Sequence, residues 1–365
     1  MPVPPGALGD LELGPVVDVP DGTVIAFGQS HVVGPDDRLP PASLWTSPDG
    51  VTWTRGADSD AFVSVREGWN RVPLDLLRTD AGYVAVGMSQ FDDASQADAA
   101  AWSSPDGATW GPALVDEGSG RTMDEVVATD HGLVAFGDRR YDFHGGFGDG
   151  SAIWTSPDGR SWTRIADDDA PPLGVRLRDV TPFGSGWIAT ATAEFGSGED
   201  RLLRKPVSDG VWRSDDAIHW TPIRNTPLKL GPLVAGPDGL VALGRQEGPG
   251  GGDDVPVAWR STDGAVWTKT VLPRPAGLPV GTTFDARFLV RAPGGWLAAG
   301  DRDGGDAGSV VWSSRDGVSW TGLDHGPWGE ARIVRMMPAA GGIIVVGERL
   351  GEDGLGVPST WLVRG

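Results

Sequence analysis

Several segments place an arginine a few residues before an acid, among them Arg71 with Asp75, Arg121 with Glu125, and Arg176 or Arg178 with Asp179. Arg287, Arg332 and Arg335 add positive charge further on. The guanidinium is a rigid fork of donors suited to carboxylates, so such arginines either pair with neighbouring acids or converge on an anionic ligand. Trp69 and Trp328 come just before Arg71 and Arg332. An indole there can stack on a sugar or peptide, or it can plug a gap in the packing. Tyr141 belongs with Phe143, His144 and Phe147 to an aromatic group in one Gly-rich stretch, RRYDFHGGFGDGS. The candidate ligand-binding residues are therefore Trp69, Arg71, Arg121, Tyr141, Arg176, Trp328 and Arg332.

Other chemistries find little material. The five histidines are scattered without metal-ligand spacing, and there is no cysteine to serve as thiolate ligand, nucleophile or disulfide. No Gly-rich phosphate loop precedes a helix, and no serine stands in a nucleophile elbow. Asp301, Asp303 and Asp306 lack the order of known calcium loops and read as a solvated acidic loop. No catalytic residue, metal or cofactor is expected. A net charge of −20 repels phosphate backbones, which argues against nucleic acid and anionic membranes as partners. No apolar run approaches the roughly 20 residues that span a bilayer, so no membrane insertion is expected. The expected partner is a glycan, a peptide or a protein surface, met by a monomer. The N-terminus MPVPPGALGDLELG lacks the features of a signal peptide. The compartment stays open: secreted or cell-surface if a leader was once trimmed, cytoplasmic otherwise.

The elements that must position these residues repeat along the chain. SLWTSPDGVTW, AAWSSPDGATW, AIWTSPDGRSW, GVWRSDDAIHW, VAWRSTDGAVW and VVWSSRDGVSW are six copies of one hairpin. Their serines, Ser47, Ser104, Ser156, Ser214, Ser261 and Ser314, are separated by 57, 52, 58, 47 and 53 residues. That period fits one propeller blade. An apolar segment bounded by small residues precedes each hairpin: TVIAFG, GYVAVG, GLVAFG, GWIATA, GLVALG, GWLAAG, and a seventh, GIIVVG, before the terminal STWLVRG. Each unit parses into strands A to D; in the second these are Pro73 to Thr79, Tyr83 to Val86, Ala100 to Ser103, and Thr109 to Trp110 onward. Abundant glycine (56) and proline (30) suit short strands and tight turns. The fold class is therefore all-β, a seven-bladed propeller of four-stranded antiparallel blades forming one domain over residues 1–365. The seventh unit lacks strand D, and residues 7–13 are expected to supply it and close the ring, removing an open edge.

Within the turn Ser-x-Asp-Gly-x-x-Trp, the Asp can accept main-chain N–H groups and the Gly supplies a positive φ. The paired tryptophans bury apolar area between blades. This motif resembles the Asp-box, or BNR repeat, of the sialidase-like superfamily, whose usual form is one residue longer. Here the fourth copy also replaces Gly with Ala217. The resemblance implies a propeller whose boxes lie on the face away from the ligand, so Asp49, Asp106, Asp158, Asp216, Asp263 and Asp316 are read as structural. A catalytic sialidase would need an arginine triad and a tyrosine nucleophile, yet of two tyrosines Tyr83 occupies a packing position and only Tyr141 remains. The expected function is non-catalytic recognition on the face formed by the B–C and D–A loops. A sialidase-like or other glycoside-processing enzyme is the alternative, and a structural scaffold the second.

Overall fold

The computed structural model describes residues 11–19, 21–30, 41–57, 59–64, 69–91, 97–116, 120–139, 150–172, 174–193, 209–227, 230–248, 254–278, 282–292, 294–303, 308–323, 326, 328, 329, 331–339, 342–350 and 356–364. They form a seven-bladed β-propeller of antiparallel sheets. Blades 1 to 5 each have four strands in sequence order, spanning Leu11–Arg55, Trp69–Asp116, Glu125–Arg164, Val175–Pro222 and Leu230–Val271. In blade 6 the inner strand is broken into Thr283–Phe284 and Phe288–Ala292. Blade 7 has three described strands: Arg332–Ala339, Gly342–Leu350 and Gly356–Val363. The only helix among the described residues is the 3-10 turn Asp60–Phe62, so none there is long and apolar enough to cross a membrane.

Each strand B has three consecutive apolar residues at or just after its start because both its faces are covered there. Side chains alternate across a strand. In blade 2, Tyr83 and Ala85 join Ile25 and Phe27 of blade 1, while Val84 and Val86 join Leu133 and Trp154 of blade 3. Repeating this around the ring places a buried cluster at every blade interface, including that between blade 7 (Ile344, Val346) and blade 1 (Leu13, Trp45, Trp53). Fully burying one such side chain contributes roughly 1.5–3 kcal/mol, so the interfaces are the core.

The ring closes by packing. Residues 11–13, which were expected to complete the seventh blade, pair instead with residues 28–30 of blade 1 and form its innermost strand. Residues 7–10 lie outside the described residues. The physical reason lies in the apolar residues of the first segment: a register shift between Leu13 and Val16 puts both at the interface with blade 7, as strand A residues are elsewhere. A strand D position would have left Leu13 outside that core.

The box turns have one geometry. In blade 2, Asp106 Oδ1 accepts the N–H groups of Ala108 (2.9 Å) and Thr109 (2.7 Å), and Ser104 Oγ accepts that of Gly107 (2.8 Å). Ala217, where the fourth copy lacks Gly, takes φ 63°, so the turn imposes its backbone on a residue that resists it. The glycine ending strand B has a separate cause. A Cβ on Gly87 would lie 2.0 Å from Val72 O, and one on Gly137 1.7 Å from Thr122 O. Only glycine lets strand A press that closely, and in blade 2 the ladder shifts register just there, between Pro73 and Asp75.

Candidate functional site in the channel

The inner strands bring three acids of consecutive blades to equivalent positions. Asp75, Glu125 and the loop-like Asp179 (φ 52°) stand opposite the last strand B residue before its end, beside Val86, Phe136 and Thr190. Each reaches the next blade. Asp75 Oδ2 accepts Val126 N–H at 2.8 Å, Glu125 Oε2 accepts Val180 N–H at 3.2 Å, and Asp179 accepts the N–H of Leu233. Thr190 Oγ1 donates to Asp179 Oδ2 at 3.0 Å, and Leu76 N–H to Asp75 Oδ1 at 2.8 Å.

The three carboxyl groups line a cavity of about 340 Å³, walled also by Asp124, Phe136, Leu177 and Arg178. Burial raises all three above the ordinary carboxylate range. Glu125 rises furthest, because burial is compounded by the charges of Asp179 and Asp75 on either side. Asp179 is pushed from 3.8 to about 6 by burial, against the opposing bonds from Thr190 and Leu233. Asp75 is raised by burial but eased by its own hydrogen bonds and by Arg335. Three carboxyl groups of raised proton affinity thus share one cavity, a setting that general acid–base chemistry draws on.

The arginines named from the sequence divide between different partners. Arg121 Nη2 lies 3.9 Å from Asp167, which Arg139 (3.3 Å) and Arg164 (2.7 Å) also approach. Arg176 Nη2 is 3.2 Å from Asp138 Oδ2, shared with Arg178 at 3.1 Å; Arg178 also holds Asp124 at 2.8 Å. Arg332 Nε is 3.6 Å from Asp301, which Arg287 also approaches. Arg71 Nη1 donates to Ala61 O at 2.8 Å. Trp69 is half-buried at the start of its strand. Trp328 is wholly buried among Val290, Val311 and Ile333, where it fills the interface between blades 6 and 7. Tyr141 lies outside the described residues.

Sequence reasoning named Asp75, Glu125 and Asp179 only as salt-bridge partners of the arginines, missed Asp138, and read Asp301 as part of a solvated loop although its side chain is largely buried against Arg287 and Arg332. A signal existed for Asp138 and Asp301: each directly follows the Gly that ends strand B, in AFGD and AAGD. Among the described residues no group of three or more His, Asp or Glu side chains is arranged to hold a metal ion.

No protein-family model matches the chain, and no curated protein matches it. Solved structures do. An α-L-arabinanase of Penicillium chrysogenum complexed with arabinobiose is 14% identical, with 96% of this chain and 92% of that one covered at a TM-score of 0.45. A thermostable family-43 glycoside hydrolase is 14% identical over 75% of this chain and 99% of that one, at 0.42. Zg3597, a family 117 glycoside hydrolase of Zobellia galactanivorans, is 13% identical over 75% and 94%, at 0.43. At such scores the likeness carries no argument about this chain.

Proposed function

We propose that the protein is a glycan-directed propeller that processes a glycosidic bond in its channel, with Glu125 as general acid and Asp75 or Asp179 as the ionised partner. The observation that carries this reading is the convergence of three carboxyl groups, poised differently, on one cavity. Glycoside cleavage needs one carboxylic acid to protonate the leaving oxygen and one carboxylate to act as base or nucleophile. Burial and the flanking acids favour the protonated form of Glu125, while Arg335 opposes the rise that burial imposes on Asp75. The box turns, with their Asp residues engaged by main-chain N–H groups, support a kinship with the Asp-box repeat and take no part in the chemistry.

A second reading, glycan recognition without turnover, is favoured by a specific observation. Each of the three acids already spends an oxygen on the next blade's main chain, as a purely structural clasp would. The two readings separate in one experiment: a panel of aryl glycosides and oligosaccharides is incubated with the protein and with Glu125→Gln. Turnover lowered by roughly 100-fold or more in the variant, with substrate still bound, supports catalysis. Glycan binding without turnover in either protein supports recognition alone, and neither binding nor turnover across the panel rejects both.

A further inference from the structure

In blades 2 and 6 the first tryptophan of the box hairpin is covered by the link that leaves the outer strand of the blade before. Trp102 Nε1 donates to Ala61 O at 2.9 Å, and the ring of the adjoining Phe62 lies 5.5 Å from that of Trp102 and 5.9 Å from that of Trp110. Trp312 Nε1 donates to Pro273 O at 2.8 Å. These links are long, running over residues 56–68 and 272–282. The link from blade 4 to blade 5 is residues 223–229, shorter than that between any other two blades. Trp259 beneath it is the only one of the seven tryptophans at this position to be partly exposed.

Around Trp259 the blade 2 arrangement is present without its cover. Trp259 Nε1 has no acceptor, and among the described residues no aromatic ring packs face or edge on this indole. Trp267, the second tryptophan of the hairpin, is partly exposed too, and both pack beside Ile223 at the seam between blades 4 and 5. Lys269, opposite Trp259 across the ladder, holds Nζ 5.6 Å from the centre of its ring. Val271 stands two residues further, hence on the same face, and is 47% exposed. A patch of exposed apolar side chains around tryptophan is the composition of a contact surface.

We infer that the outer rim of the seam between blades 4 and 5 is a docking site for an aromatic side chain of a partner peptide, held against Trp259 and Trp267 as Phe62 is held against Trp102 and Trp110. The blade 2 arrangement specifies the occupant's chemistry. Its ring packs on both indoles, and the main-chain carbonyl before it accepts the Trp259 N–H as Ala61 O accepts that of Trp102. Lys269 is exposed, and a cation–π contact at such a site is weak enough for the side chain to swing aside. Phe62 itself is buried in its own seam and is not available. A second copy of the chain is the poorer occupant, because it would bring a net charge of −20 against an equal charge. The inference is independent of the channel chemistry, since the rim lies on the outer wall of the ring.

The probe is a fluorescein-labelled peptide with the sequence of residues 57–64, ADSDAFVS. Fluorescence anisotropy against the intact protein should give saturable binding, which vanishes when the peptide's Phe is replaced by Ala. Trp259→Leu should weaken binding by about tenfold or more. Replacing residues 223–229 by the longer link GADSDAFVSVREG of residues 56–68 should cover Trp259 from within the chain and abolish binding, and each variant serves if the other fails to fold. Absence of saturable binding, equal binding of the Phe-to-Ala peptide, or binding indifferent to the variants that fold overturns the inference. So does a neutral oligosaccharide that binds where the peptide does not and is lost with the longer link, which would assign the rim to a glycan. A concentration-dependent dimer in sedimentation that the longer link abolishes overturns it as well, by assigning the rim to a second copy.

Discussion

Trp53 donates its indole N–H to Thr360 Oγ1 at 3.2 Å, joining the first blade to the last across 307 positions of sequence. The corresponding indoles of the other five boxes, Trp110, Trp162, Trp220, Trp267 and Trp320, each donate to a carbonyl of their own turn. The first box therefore does at the seam what no other box does. Thr360 is wholly buried there, and its hydroxyl is satisfied by accepting this bond and donating to Val51 O at 3.4 Å, both in the first blade.

Thr360→Val should therefore lower stability by about 1 kcal/mol, and Trp53→Phe by a similar amount. The double variant should cost less than their sum, because both remove one bond. Urea unfolding of the four proteins checks it, and strict additivity would mean that the bond contributes nothing to ring closure.

Gly137→Ala should be disruptive, by roughly 3 kcal/mol, because the added Cβ would fall 1.7 Å from the backbone oxygen of Thr122. Gly111→Ala, where no atom lies within 4 Å, should change stability by less than about 0.5 kcal/mol. Thermal melts of the two variants side by side test whether close approach of the inner strand is what demands the glycine.

Asp158 Oδ1 accepts the N–H groups of Ser161 and Arg160, which hold its carboxyl below the usual range. Asp158→Ala should lower the melting temperature at neutral pH while leaving glycan binding unchanged. The carboxyl's contribution is present above the unfolded pKa and fades as pH falls through the lower folded one. The difference between variant and parent should accordingly shrink in acid. Lost binding at unchanged stability would place the ligand on the box side.

Asp179 gives the opposite sign. Its folded pKa of about 6 lies above the ordinary 3.8, so between these values the native state holds a proton that the unfolded chain has released. Stability from this group is full below the unfolded value and is lost as pH rises to about 6, then stays level. Asp179→Asn, neutral throughout, should be more stable than the parent by roughly 1–3 kcal/mol at about pH 7.5. That gain should disappear near pH 3.5, where both side chains are uncharged. Urea titrations at the two pH values decide; an equal gain at both would show that ionisation is not its source.

Blade number and the role of the boxes were legible in the sequence because they are local and repeated. Ser-x-Asp-Gly-x-x-Trp folds its turn within seven residues, and the period between copies counts the blades. The acids at 75, 125 and 179 were legible as inner-strand residues for the same reason. What the tertiary structure decided lies between blades. That Asp75 bonds Val126, and that three acids share one cavity with distinct proton affinities, depends on the angle between neighbouring sheets, which no single repeat encodes. Trp328 shows the limit from the other side: its place outside the repeat left a stacking surface and a packing plug equally open, and the packing of blade 6 on blade 7 made it the plug. Ring closure was likewise a tertiary choice. Leu13 and Val16 could serve an inner or an outer strand, and only the apolar seam offered by Ile344 and Val346 makes the inner position, with the register shift between the two residues, the one that removes those side chains from water.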